Sequence, residues 1–424
     1  MRMPEPARLA RATGESSAPP SAALLAPRLQ GRFEALDGWR GVCALLVAAY
    51  HFNPAAHSMI GPLLRNAYIF VDFFFVLSGF VICHTYGDKL RSVADLTPFM
   101  IRRFARLYPL HLAILLIYVA IECARWAGGA VDSGRAPFAG SRSVATLLGN
   151  LTLTQSVGFF NDLSWNGPAW SISVEFWTYV AFALLVLAAG RFRVPVFAAV
   201  AVGALVALFA TGVSTLNVTA DFGLLRCLAG FFLGALVRIF LIGRAAVDHG
   251  ASSAASSRQA TLIEAATLVG ALAFVTFAGD GRWSIAAPIV FAGVVAVFAH
   301  GRGLMSRGLA SPPLVMLGAL SYAVYMIHAL GVYALTTLAK LVEQRTGAPL
   351  TERFVEHGNE YVIMSLPNAW AMDLATLMFL AGTLVAAMLL RRFVELPGQT
   401  FVLFALLGRP AARAPVDAPL VSRT

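Results

Sequence analysis

Arg40 and His51 stand eleven residues apart inside an apolar run, residues 36–52, LDGWRGVCALLVAAYHF. On a helix that spacing turns about 1100°, about 20° past three full turns, and rises about 16 Å, so the guanidinium and the imidazole share one face at different depths. A cation near a membrane surface with a titratable ring below it suits the passage of an elongated, anionic ligand. Charged and titratable groups are expensive within a membrane helix, and they mark function by default.

Other polar groups fall in apolar runs as well. Asp72 and Gly79, in FVDFFFVLSGF at 70–80, are seven apart and share a face, so a neighbouring backbone can approach where the carboxylate points. The alternative puts Asp72 at the outer membrane boundary, capping its helix or pairing with Arg65. Arg103 and Arg106 are neighbours on a face where their helix enters from the cytoplasm. They either anchor the topology or, beside Arg40 at the same surface, cradle phosphates, which a guanidinium binds in bidentate fashion. His111 could join them or be purely structural.

Glu175 lies about two turns into an otherwise apolar helix, with Ser171 on its face. Trp170, Ser173 and Trp177 form an adjacent aromatic and polar stripe, either an interfacial belt or a platform for stacking sugars. Arg226 has no partner in its own run and needs an internal anion: Asp72, Glu175 or a ligand. Ser321 and His328 share a face with Tyr325 beside the histidine, so His328 is either a core residue or part of a site. The last apolar run ends in RRFVELP at 391–397, which reads as a cytoplasmic helix stop.

The elements that must hold these groups follow from composition. The chain has 424 residues, 58% hydrophobic and 13% charged, with a mean hydropathy of +0.73, whereas soluble domains carry about 25% charged residues. An all-α polytopic membrane protein is expected. Apolar segments fall near 39–57, 67–85, 107–126, 168–189, 194–212, 222–243, 261–279, 283–300, 314–338 and 370–391, which makes about ten transmembrane helices. Lys and Arg concentrate in alternate loops, which places both termini in the cytoplasm. The net charge of +10 is this topology signal plus attraction to membrane lipid headgroups, and not a nucleic-acid footprint.

Cys43, Cys83, Cys123 and Cys227 lie in apolar runs with no Cys-x-x-Cys pair and no plausible metal-binding histidine nearby, so neither a metal nor a disulfide is expected. Residues 1–34 read as a disordered cytoplasmic tail and not a cleaved signal, 35–397 as one membrane domain, and 398–424 as a second cytoplasmic tail with no appended soluble catalytic domain. The segments near 127–167 and 339–369 are the longest outside the membrane. Within the first, 143–157 could form an interfacial helix. Residues 249–258 look like a flexible inner loop.

Taken in order, these pieces resemble the acyltransferase-3 family of integral-membrane O-acyltransferases, which includes bacterial enzymes acetylating O-antigen, exopolysaccharide, Nod factors and macrolides. The resemblance covers about 36–397. LDGWRG at 36–41 with YHF at 50–52 is similar to the family's Arg-x10-His signature, and FVD…SGF at 70–80 to its second-helix block. RFARLYP at 103–109 is similar to its Arg-x-x-Arg motif, and Trp170–Glu175, Ser321–His328 and Glu395-x-Pro397 also fit. Trp39 stands where the family commonly has an aliphatic residue, a change expected to alter packing and not chemistry.

The resemblance implies transfer of an acyl group, commonly acetyl, from cytoplasmic acyl-CoA to a hydroxyl of a carbohydrate or glycolipid, such as lipopolysaccharide or an exported polysaccharide. The setting would be the bacterial inner membrane, with acyl-CoA as co-substrate and no bound cofactor. His51, Glu175 and Asp72 would form the catalytic set, and Arg40, Arg103 and Arg106 would hold the CoA phosphates. Trp170, Ser173, Arg226, Tyr325 and His328 would bind acceptor or support the site. His51 would deprotonate the acceptor hydroxyl or be acylated transiently, direct transfer being favoured. A transporter or flippase for a glycolipid or anion would use the same buried groups, although no broken-helix pair or inverted repeat is evident. A polysaccharide ligase or polymerase would need a lipid-linked sugar donor. The sequence carries no signal for oligomeric state.

Overall fold

The computed structural model describes residues 33–52, 61–129, 136–247, 257–356 and 359–408. The tail expected before residue 33, most of 249–258 and the chain beyond 408 lie outside the described residues. The helices are α1 (Glu34–Phe52), α2 (Pro62–Arg65), α3 (Phe70–Tyr86), α4 (Leu96–Ala127), α5 (Val144–Leu151), α6 (Trp170–Ala189) and α7 (Arg193–Ala210). They continue with α8 (Gly223–Val247), α9 (Ser257–Ala278), α10 (Ala287–Phe298), α11 (Leu304–Leu309), α12 (Pro312–Thr346), α13 (Ala369–Leu390) and α14 (Leu396–Leu407).

Each of the expected apolar segments overlaps a helix, the part of 39–57 past Phe52 lying outside the described residues. Among the described residues, seven helical stretches are long and apolar enough to cross a membrane: 67–86, 93–127, 167–210, 223–241, 257–278, 312–346 and 369–407. The smaller number has physical reasons. α6 and α7 fall in one stretch, separated at Gly190 with φ 50°. α1 opens on Glu34, Asp37 and Arg40, and α10 is only 12 residues long.

Two expectations change. The segment 339–369 contains an antiparallel hairpin, β1 (Thr351–Glu356) with β2 (Asn359–Met364), which pairs Thr351 with Met364. The expected stop at 391–397 is not one. The chain stays helical through a π turn at Arg391–Glu395, and Pro397 follows directly at the start of α14.

In lipid, helices associate by close packing of small residues. α1 and α12 run parallel: Gly41 abuts the backbone at Gly318, a Cβ at Gly318 would strike the carbonyl of Asp37, and Gly38 abuts Leu309 at the end of α11. α3 and α8 meet the same way, Gly79 against Phe231 and Gly234 against Val76. Around these crossings the core is aromatic: Phe73, Phe80, Phe182, Phe197, Phe231, Phe232, Phe291 and Phe298 are all buried. Trp39 packs edge-on against Phe298 at 5.5 Å and near Phe73 at 5.9 Å. The outward faces of α7, α9 and α13 expose Val206, Phe209, Leu262, Val269, Leu374 and Leu377, which suits a lipid environment.

The loop 136–166 is pinned to the helices. Buried Glu122 accepts from Arg125 at 2.9 Å, Arg142 at 2.8 Å and the Phe138 N–H at 3.3 Å. The Arg142 guanidinium lies 5.1 Å from the rings of both Tyr118 and Tyr333. Within the loop, α5 is shorter than the expected 143–157 helix and starts at the Ser143 cap.

Candidate active site

A cavity of about 420 Å³ lies between α3, α4, α6, α12 and α14, within the ~300–1,000 Å³ typical of small-molecule sites. α3 lines it from Val71 to Tyr86, about 22 Å of helix at 1.5 Å per residue. The cavity is therefore elongated. The guanidinium-bearing residues Arg40, Arg102, Arg103 and Arg106 line it together with Tyr86, and Ser171, Glu175 and Tyr325 also contribute.

Each arginine is held by its element. Arg40 donates to the Gly318 carbonyl through Nε at 3.1 Å and Nη2 at 2.8 Å, with Asp37 3.3 Å away, so the α1–α12 crossing fixes it at the wall. Arg103 donates to the Tyr86 hydroxyl at 3.3 Å and lies 5.2 Å from that ring. Arg106, one turn on, pairs with buried Glu395 and lies over the Tyr322 ring at 5.1 Å. The sequence brought these three together correctly but passed over Arg102, which also lines the cavity. His111 does not join them: its Nε2 lies 2.9 Å from the Asn150 carbonyl.

Glu175 faces the cavity and accepts a 2.5 Å hydrogen bond from the Tyr179 hydroxyl, which is also 3.0 Å from Ser78 Oγ. Tyr179 stands four residues after Glu175, a spacing that could have flagged it. Trp170 and Ser173 do not line the cavity. Ser173 and Trp177 both donate to the Leu153 carbonyl, at 2.8 and 2.9 Å, and so hold the loop 136–166. Trp170 is buried 5.4 Å from the Arg226 guanidinium. α6 thus has two polar faces, and the one carrying Glu175 meets the cavity.

Asp72 pairs with Arg226 and not with Arg65. It is fully buried and takes a forked pair from Arg226, Nε at 3.0 Å and Nη2 at 2.7 Å. Arg226 also donates to the carbonyls of Val218 at 3.1 Å and Tyr68 at 3.0 Å. Neither lines the cavity. Geometry places Asp72 as the counterion of Arg226, outside the cavity lining.

His51 and His328 come together as α1 and α12 run side by side, with ring centroids 4.7 Å apart. His51 Nδ1 lies 2.9 Å from the Val47 carbonyl, which requires the proton on Nδ1 and leaves the Nε2 lone pair as the basic position. His51 stays exposed while His328 is buried. The open passage expected from Arg40 to His51 is interrupted. The cavity wall is Tyr325, with His328 behind it at 5.6 Å and His51 beyond. The alternation of residues along one helix says which face they share, but not which neighbouring ring stands in front.

Residues 33–392 match the family described as the acyltransferase domain. The chain is 36% identical over 156 residues to "Protein 2 in picA locus" of Rhizobium radiobacter, covering 34% of this chain and 77% of that one. It is 34% identical over 172 residues to acyltransferase MdmB of Streptomyces mycarofaciens, 36% of this chain and 39% of that one. It is also 36% identical over 87 residues to peptidoglycan O-acetyltransferase OatA of Listeria monocytogenes serovar 1/2a, 20% of this chain and 13% of that one. The matches therefore span well under half of the latter two proteins. No solved structure matches the chain.

Proposed function

The chain belongs to the acyltransferase-3 family and is a multi-pass membrane enzyme that transfers acyl groups, and on that premise we propose that it moves an acyl group, acetyl in the simplest case, from acyl-CoA to a hydroxyl of a carbohydrate or glycolipid. The family match favours an enzyme over the transport reading. The observation that carries the donor assignment is the elongated cavity with its cluster of guanidinium groups. Phosphates would bind Arg40, Arg102, Arg103 and Arg106 at the cytoplasmic end, with the pantetheine arm running along α3 toward Glu175 and Tyr325. The relative named as a peptidoglycan O-acetyltransferase supports a carbohydrate hydroxyl as acceptor. The bacterial inner membrane, with both termini in the cytoplasm, gives the donor access to that end.

His51 Nε2 takes the proton of the acceptor hydroxyl as its oxygen attacks the thioester carbonyl. The new C–O bond forms, the C–S bond breaks, and the CoA thiolate takes the proton back from the imidazolium. Tyr325 and His328 stand between the cavity and His51, so transfer requires those rings to move aside. Glu175, hydrogen-bonded to Tyr179, orients an acceptor or donor group at the inner side of that step.

Arg103→Ala should raise the KM for acetyl-CoA roughly tenfold or more, since a hydrogen bond to a charged group contributes about 1.5–3 kcal/mol. Arg103→Lys, keeping charge without the fork, should fall between. Steady-state assays on purified protein check this, and an unchanged dependence on donor concentration would return Arg103 to a topology anchor. The acceptor is tested by mass spectrometry of surface glycans and glycolipids from cells with and without the protein. An acyl-sized mass difference supports the reading, and its absence from every glycan and glycolipid fraction counts against it.

A further inference from the structure

α14 begins past residue 392, where the family match ends, yet it contributes Gln399, Leu403 and Leu407 to the cavity wall. These residues are spaced at i, i+4 and i+8 and form one stripe. All three are half-buried, whereas Phe401 on the opposite side is 70% exposed and Phe404 on the flank 62%. The helix is firmly docked. Gly398 fits against Pro109 of α4 so closely that a Cβ would meet the proline ring. Glu395, one turn before the stripe, accepts from Arg106 of α4 and from Arg391 at 3.3 Å, and Arg391 donates to the Ala319 carbonyl of α12 at 2.8 Å. α14 is therefore fixed to the two helices that carry Arg103, Arg106, Tyr322 and Tyr325.

The arginines recognise phosphate charge, which says nothing about the rest of a donor. A pantetheine arm carries two amide groups that lose water on entering the cavity, and buried amides need partners. Among the described residues that line the cavity, Gln399 is the one amide side chain, with an acceptor oxygen and donor N–H groups to match. It lies one turn after Glu395, the partner of Arg106, while Leu403 and Leu407 continue away from it. We propose that α14 is a donor-recognition element: Gln399 pairs with an amide of the pantetheine arm, and Leu403 and Leu407 cover the nucleotide end. This rests on the donor being an acyl-CoA, as proposed above.

The test is titration calorimetry of CoA into the full-length protein purified in detergent. Leu403→Trp should weaken CoA binding about tenfold by filling the wall, and Gln399→Leu about threefold to tenfold by leaving an amide unpaired. Phe401→Leu on the outer face should bind within about twofold of the parent, and all three variants should keep an unchanged thermal unfolding midpoint. If Leu403→Trp lowers that midpoint, Gln399→Leu decides. Parent-like CoA binding by Gln399→Leu and by a stable Leu403→Trp, with Arg103→Ala weakened, overturns the role of α14 and leaves the donor reading standing. If the unmutated protein binds no CoA, the donor reading fails and this one with it.

Discussion

Replacing His51 with alanine is expected to remove acyl transfer, by about 10²–10⁴-fold, while the protein still inserts and folds. The size follows from the proton that the ring must accept. The Val47 carbonyl holds the hydrogen on Nδ1 and leaves the Nε2 lone pair free to accept a proton. Among the described residues His328 is the imidazole packed against His51, and that ring is buried behind Tyr325. The folding side of the expectation rests on position. His51 is the penultimate residue of α1, exposed, while the crossing that seats α1 on α12 lies three turns earlier, at Gly41 against Gly318. Transfer of labelled acetyl to acceptor checks the first part and the thermal midpoint the second. Full activity in His51→Ala would take the ring out of the mechanism.

Asp72→Ala is expected to cost about 3–5 kcal/mol of stability, enough to prevent recovery of folded protein, because it strands Arg226 in the interior without its anion. Arg226 has nowhere else to turn. Its remaining partners are the Val218 and Tyr68 carbonyls and the faces of Tyr68 and Trp170, at 5.8 and 5.4 Å. Removing both charges together, as Asp72→Leu with Arg226→Leu, should restore much of the loss, since paired apolar replacements of buried ion pairs are often neutral. Thermal unfolding of the two single variants and the double variant gives the coupling. The double variant also separates roles. Folded and active, it confines Asp72 to structure. Folded and inactive, it would return the carboxylate to the catalytic set that the sequence suggested.

Much of this was legible in the residues. Apolar run length located the spanning helices, and the eleven-residue spacing put Arg40 and His51 on one face. The need of Arg226 for an anion pointed to Asp72 among its options. What escaped was whatever depends on the partner. α6 shows polar groups on two sides, and only the neighbouring α3, α4 and α12 decide that Glu175 meets the cavity while Ser173 holds Leu153. A proline after a charged turn reads the same whether it ends a helix or opens one, so α14 was taken for tail. The hairpin at 351–364 sits in a stretch judged only by its lack of apolar length. Tyr325 carried no sign that it stands in front of His328, since both lie on one helix at a spacing that reports proximity and not order.

The placement of Tyr325 and His328 has a kinetic consequence. On the proposed function, a thioester parked against α3 would sit in one compartment and the His51 imidazole in another, with two aromatic side chains as the septum. On the proposed reading, water arriving beside His51 meets no thioester, so the charged donor survives idle periods and is spent only when the septum parts. Variants that thin it, such as Tyr325→Ala, should leak acetyl-CoA to hydrolysis without acceptor, a futile turnover visible as free thiol release.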